Sequence, residues 1–499
     1  MCKKNLPYTV VAPHVLPELQ YCEWEKDQYA DIADFFLLEK VNFPGEISVL
    51  KKLFPFREKE GFSFTVEMWE DAPCEEGYFL EIGSEKILLK AASPRALLHA
   101  CRTLKQLRIG SFIPCGIIRD FPAVPLRGFH TNLASCRQFE GEEVCALLEK
   151  MGKFKLNTFL LEYNERFPFS SHPAIPTCNA FSREEVEKFE RICKENAIEI
   201  IPLVQCLGHN GHINRLPEYG KYFEPDFPDG RKSAQLCPLN EESYTLFTTL
   251  AEEIMQAHPN GKYLHLGGDE ARSMGMCPKC QEYVQKYGEG KLYVEYINQC
   301  AAFARKNGRI PIIWDDMLSR HPDLMEKMDK DIVIMVWDYW TTSDPSPITV
   351  FRPAERGIVI DKSMAEGDFA KLEQPEKLIA ETFARVEEFE TLAESNEGSK
   401  IFSTYLGKDF PEKCTAFPFV DLYKDKGFTV IGAPTTLGNT VDDIYGLPNF
   451  MRFRKNIFAY AQKCKKYSLA GMITTSWYDF APEILEMGLI CTANDLWTK

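Results

Sequence analysis

Asp269 and Glu270 are adjacent carboxylates that follow an apolar run, Tyr263-Leu264-His265-Leu266, and two glycines, Gly267 and Gly268. An apolar run that ends at glycines reads as a strand that must turn sharply or let a ligand approach its backbone. Two acids at such a turn weaken it, since like charges repel and each resists desolvation. On its own such a pair is most often a solvated acidic turn. A buried-looking strand before it and a helix after it make it a candidate for chemistry. Paired carboxyls suit glycosidic bond cleavage, one protonating the leaving oxygen while the other stabilises the reacting sugar.

Two other sets could do chemistry. Cys277-Pro278-Lys279-Cys280 has ligand spacing, but zinc needs four ligands and no second Cys-x-x-Cys or His-x-His partner is evident. The pair therefore reads as a buried pair or a local redox-labile bridge, and no metal or cofactor is assigned. His209, His212 and His265 would suit a metal-dependent hydrolase. They come from only two strand regions, and His265 lies inside a strand, where a hydrogen-bonded core histidine is the better reading.

The elements that must position these residues repeat a strand-then-helix pattern from Arg127 onward. Apolar strands are expected at 128–131, 158–161, 198–204, 263–266, 310–314, 332–337, 429–433 and 471–477. Amphipathic helices fall between most of them, one behind the capping box Ser182-Arg183-Glu184-Glu185. Eight such strands predict a (β/α)8 barrel over residues 123–499. A doubly wound sheet competes, but no Gly-x-Gly-x-x-Gly follows the first strand. Residues 1–122 predict a small α+β domain, with alternating strands around Phe64, Leu80 and Leu89 and a helix opened by Ser93-Pro94. No titratable cluster is evident there, so this domain reads as support.

Barrel chemistry sits at the C-terminal strand ends. In order those ends carry Asn132; Glu162 and Glu165; Gln205 and His209; Asp269 and Glu270; Trp314, Asp315 and Asp316; Trp337, Asp338, Tyr339 and Trp340; Thr435 and Thr436; Trp477 and Asp479. Four of the seven tryptophans fall in this set, which weakens core filling as their explanation. Indoles stack on sugar rings while carboxylates and amides bind hydroxyls.

The whole chain has 499 residues, 45% hydrophobic and 26% charged, with a formal net charge of -15. That is ordinary globular composition, and an acidic surface argues against nucleic acid. The 17 cysteines, an odd and scattered set, read as reduced thiols. No membrane span or secretory signal is evident. If Met1 is the natural start the protein reads as cytoplasmic; a processed secreted form would read the same. A homodimer is one assembly the sequence admits.

His265-Leu266-Gly267-Gly268-Asp269-Glu270 matches the His-x-Gly-Gly-Asp-Glu signature of glycoside hydrolase family 20, the β-N-acetylhexosaminidases, and the chain resembles that family over nearly its whole length. Arg127-Gly128-Phe129-His130, Lys155-Leu156-Asn157, Leu207-Gly208-His209 and the segment Ala96 to Leu107 fall in register. Glu162 to Phe169, Trp314-Asp315-Asp316-Met317-Leu318 and the Cys-x-x-Cys are most similar to the hexosaminidase D branch. The resemblance implies an exo-acting, retaining enzyme in which the substrate's 2-acetamido oxygen is the nucleophile, an exception to the two-carboxylate scheme. It makes Glu270 the acid and base and Asp269 the partner of the acetamido group. It gives Arg127 the ring hydroxyls, Trp314, Trp337 and Trp477 the walls of the pocket, and Glu165 and His209 supporting roles. The substrate would be a glycan with terminal β-linked GlcNAc or GalNAc. Tyr339 is the first choice for the tyrosine that binds the acetamido oxygen, with Tyr405 and Tyr445 as rivals. Asp479 stands where the family usually has Glu, which bears on GlcNAc against GalNAc. A non-catalytic sugar-binding protein on the same barrel is the alternative.

Overall fold

The computed structural model describes residues 14–32, 36–43, 48–57, 61–134, 139–339, 341, 348–350, 358–360, 404–405, 418–437, 450–477 and 482–499. They form two compact units. The first is Met1–Pro125 with Lys150–Leu156 and Ala493–Lys499, and the second is Leu126–Glu149 with Asn157–Thr492.

The first unit is built on a mixed sheet of β1 (Tyr21–Asp31), β2 (Phe36–Asn42), β3 (Phe56–Arg57), β4 (Phe62–Met68), β5 (Tyr78–Ile82), β6 (Lys86–Ala91) and β7 (Phe112–Asp120). Its order is β1-β7-β5-β6-β4-β2-β3. The period-2 pattern turns Phe64 and Val66, Tyr78, Leu80 and Ile82, and Ile87 and Leu89 to one buried face. Helices α1 (Ser48–Leu53) and α2 (Pro94–Leu107) accompany the sheet. Ser93 caps α2 by accepting from the Ala96 amide, and Leu97, Cys101 and Leu104 are fully buried.

No titratable cluster is expected from residues 1–122 alone; the fold builds one by adding Lys155 and Trp497 from outside that range. The Lys155 ammonium, fully buried, donates to the Asp120 carboxylate at 3.0 Å and to the Tyr78 hydroxyl at 2.9 Å. Tyr78 also donates to Asp120, and Trp497 Nε1 donates to the other Asp120 oxygen at 2.8 Å. The cluster is invisible in sequence because Lys155 and Trp497 reach it from distant segments. Burial, with the Asp120 charge second, pushes the Tyr78 phenol well above its ordinary range.

The second unit is a closed parallel barrel. Its strands are β8 (Leu126–Asn132), β9 (Thr158–Glu162), β10 (Glu199–Leu203), β11 (Tyr263–His265), β12 (Ile310–Trp314), β13 (Val333–Val336), β16 (Val430–Gly432) and β18 (Gly471–Ser476). Each pairs in parallel with the next, and β18 closes on β8. Closure excludes the doubly wound sheet, which leaves two edges. Between β13 and β16 lies the hairpin of β14 (Ile348–Val350) and β15 (Ile358–Ile360), and β17 (Thr435–Leu437) lies beside β18.

The barrel helices are α3 (Gly141–Lys153), α4 (Arg183–Glu195), α5 (Gly211–Asn214), α6 (Glu241–Ala257), α7 (Pro278–Tyr287), α8 (Glu289–Lys306), α9 (Asp316–Ser319), α10 (Phe419–Asp425), α11 (Phe450–Tyr467) and α12 (Pro482–Trp497). Both halves of the Ser182 capping box form, and Asn240 caps α6. Leu160, Ile201, Leu203, Ile312, Trp314, Met335, Ile431 and Ile473 pack together from successive strands. None of the described helices is long and apolar enough to cross a membrane.

Candidate active site

Strand β11 ends in Gly267 and Gly268, at φ +67° and +83°. A Cβ on Gly267 would come within 1.9 Å of Gln205 Oε1, so the turn admits only glycine. The turn delivers Asp269 and Glu270 beside His209 from the loop after β10. His209 Nε2 lies 3.1 Å from Asp269 Oδ2 and 3.4 Å from Glu270 Oε2. Both loops are strained there: His209 has φ +55° and Glu270 φ +44°, conformations that persist where surrounding structure enforces them. The enforcing contacts include the Glu270 amide, which donates to Asp316 Oδ2 at 3.1 Å.

The Asp269 charge, opposed by burial, raises the His209 imidazole to about 11. Burial works against ionisation of Glu270, but hydrogen bonding from His209 and the Arg272 charge outweigh it and hold its carboxyl near 2. Arg272 reaches Glu270 Oε1 at 2.7 Å. At neutral pH, then, the proton is on His209 and Glu270 is a carboxylate. His209 stabilises the fold below its ordinary 6.5 and that contribution is lost as pH rises through about 11. Glu270 contributes above 4.5 and loses its contribution as pH falls toward 2. Arg272 is largely exposed, so its share is screened. Arg272→Met is expected to raise the Glu270 pKa by about half a unit, since it removes a charge that favours the carboxylate; an unmoved Glu270 carboxyl titration followed by NMR would remove Arg272 from this role.

The indoles meet. Trp314 is fully buried with its ring centroid 5.5 Å from that of Trp477. Trp337 packs at 5.5 Å on Tyr339, whose hydroxyl accepts from Trp477 Nε1 and, at 3.5 Å, from Thr475 Oγ1. Tyr405 lies beside Asp425, the last residue of α10. Tyr445, Trp340 and Asp479 lie outside the described residues. Arg127 is buried at the start of β8, roughly 16 Å along the strand from Asn132; its backbone amide donates to Asn157 Oδ1 at 2.9 Å. Glu165 lies in a 3₁₀ turn and acts by charge on His212. Among the described residues His209, His212 and His265 do not converge as a metal cluster.

Several members of the site were named from sequence only as strand-end or motif residues, without a role, or not named at all. Glu162, buried at the end of β9, accepts from Gln205 Nε2 at 3.1 Å and lies 3.8 Å from His130 Nε2. His130 also packs at 4.7 Å on Trp477. Asp316 accepts from Trp337 Nε1 at 3.4 Å as well as from Glu270, and burial with the Asp269 charge raises its carboxyl to about 6. Position at a strand end was the available signal for Glu162, Gln205 and Asp316. Arg272 had none.

A parallel barrel whose strand ends gather two carboxylates, an imidazole and several indoles is an arrangement able to bind a sugar ring and move a proton at it. Residues 125–350 match the family model described as glycosyl hydrolase family 20, catalytic domain. Among curated proteins, hexosaminidase D of Bos taurus is 28% identical over 221 residues, covering 40% of this chain and 60% of that protein. A beta-hexosaminidase of Akkermansia muciniphila is 25% identical over 274 residues, covering 48% and 55%. The matches thus span a little over half the length of these relatives. Among solved structures, a Vibrio harveyi family 20 exo-beta-N-acetylglucosaminidase in complex with N-acetylglucosamine superposes with a TM-score of 0.67 at 16% identity, over 99% of this chain and 75% of that one. A Bacteroides fragilis beta-N-acetylhexosaminidase gives 0.66 at 14%, over 97% and 91%. At those identities the likeness is one of fold.

Proposed function

We propose that the chain is an exo-acting, retaining β-N-acetylhexosaminidase acting on terminal β-linked GlcNAc or GalNAc. One observation carries the reading. Asp269 is buried beside Glu270 with Oδ2 on His209, while its Oδ1 has no hydrogen-bond partner among the described residues. A buried acceptor costs about 1–3 kcal/mol when unmade, and an amide N–H of the substrate would satisfy it.

In the proposed reaction Glu270 protonates the glycosidic oxygen as the C–O bond breaks, and the acetamido oxygen bonds to the anomeric carbon. Asp269 stabilises the N–H of the cyclic oxazolinium cation so formed. Glu270 then takes a proton from water, whose oxygen opens the ring at the anomeric carbon. Two inversions give retention. The acid step needs a proton that the ligand-free site keeps on His209, 3.4 Å from Glu270 Oε2. A sugar displacing Arg272 would desolvate Glu270 and draw that proton across. Tyr339 accepts from Trp477 and Thr475, which leaves its own O–H to donate to the acetamido oxygen.

The test is a panel of p-nitrophenyl β-glycosides. Turnover is expected on the N-acetylglucosaminide, the N-acetylgalactosaminide or both. The 2-hydroxy glucoside should be slower by about 10³-fold or more, since it lacks the intramolecular nucleophile. Binding of N-acetylhexosamine without turnover of any N-acetylated substrate would establish a sugar-binding protein instead.

A further inference from the structure

Cys277 and Cys280 gain partners in the fold that no motif marks. Cys237, in the long segment between β10 and α6, places its sulfur 3.7 Å from Cys277 Sγ and 3.5 Å from Cys280 Sγ. Glu224 of the same segment brings its carboxylate to them, and the four ligand atoms lie within 4.8 Å of one another. Two sulfurs on a tetrahedral zinc at about 2.3 Å each stand about 3.8 Å apart, so the observed separations need almost no adjustment. They are far beyond the roughly 2.05 Å of a disulfide, and a disulfide would leave one of the three thiols over.

The surroundings suit a cation. Glu224 is only 2% exposed. Its Oε2 accepts from the Cys277 amide at 2.5 Å, while its buried Oε1 has no hydrogen-bond partner among the described residues. It has no ion pair among those residues either, an expensive state for a buried carboxylate. Cys277 is the N-cap of α7, and its sulfur accepts from the Cys280 amide at 3.3 Å. The positive end of a helix favours thiolates. A cavity of about 520 Å³, lined by Lys221 and Lys279 and by Glu241 and Glu242, reaches Cys237 and Cys277 and gives an entry path.

We propose that Glu224, Cys237, Cys277 and Cys280 bind one zinc ion as a closed structural site. Three sulfurs and one oxygen in a tetrahedron select zinc over hard cations. The ion joins the segment after β10, which carries His209, to the turn after β11, which carries Asp269 and Glu270. Two hydrogen bonds already run alongside it: Ser233 Oγ with Ser273 Oγ at 2.9 Å, and the Ser273 amide to Gln235 Oε1 at 2.9 Å. Any kinetic effect of the ion rests on the proposed function; the binding itself does not.

The test is elemental analysis of full-length protein purified without chelator or affinity-tag metal. About one zinc per chain is expected, released when a mercurial blocks the thiols. Cobalt replacement should give the thiolate-to-cobalt band near 350 nm and the strong visible absorption of a tetrahedral site, a readout that needs no variant. Cys237→Ser, Cys280→Ser and Glu224→Gln should each lower zinc content or retention. Metal removal should lower Tm by about 5 °C or more. Wild-type protein with negligible zinc that also fails to bind added zinc or cobalt under reducing conditions would overturn the proposal. So would a disulfide joining Cys237 to Cys277 or Cys280 in protein kept reduced.

Discussion

Glu270→Gln is expected to lower turnover of an N-acetylhexosaminide by about 10²–10⁴-fold, the range for losing a positioned general acid and base. Glutamine keeps the size of the side chain but cannot carry the proton. The loss should depend on the leaving group. With an aglycone that departs without protonation the first step survives and the deficit falls on the second, so a burst should appear. Affinity for a thiazoline mimic of the cyclic intermediate should be retained within a few-fold, because the proposed reaction gives that contact to Asp269. Steady-state and pre-steady-state rates with a series of aryl glycosides check this. A uniform small loss across the series would remove Glu270 from proton transfer.

Lys155→Met should destabilise the first unit by about 3–5 kcal/mol, the usual cost of breaking a buried pair by removing one partner. Asp120 would keep Tyr78 and Trp497 as donors but lose the only ammonium that the described contacts give it. Lys155 has φ +60°; methionine also carries a Cβ, so backbone strain is unchanged and the loss reports the charge. The ammonium also lies 4.3 Å from the Trp497 ring centroid, a contact that methionine partly keeps. Denaturant melts of wild type, Lys155→Met, Asp120→Asn and the double variant measure the coupling. A double variant as unstable as the sum of the singles would mean that Lys155 and Asp120 act independently.

The fold was legible because its signals are local. Eight apolar runs at regular spacing, broken by caps such as Ser182 and Asn240, suffice for alternating strands and helices. The turn carrying the candidate carboxylates was legible for the same reason: Gly267, Gly268, Asp269 and Glu270 are consecutive. Strand-end reasoning also picked out these indoles, since Trp314 ends β12 and Trp337 and Trp477 directly follow β13 and β18. It did not name Arg127, which only the family resemblance brought forward and which lies at the start of β8.

What only the tertiary structure decided are the contacts between residues far apart in the chain. His209 meets Asp269 and Glu270 because the loops of neighbouring parallel strands emerge side by side at one end of a barrel. Asp316 holds the Glu270 amide for the same reason. Lys155 finds Asp120, and Cys237 with Glu224 finds the Cys277–Cys280 pair, across separations at which no spacing rule operates. Local periodicity determines elements because backbone hydrogen bonding and burial are set by near neighbours. The protonation state of Glu270 and the grouping of three thiols with a buried carboxylate depend on distances that only packing creates.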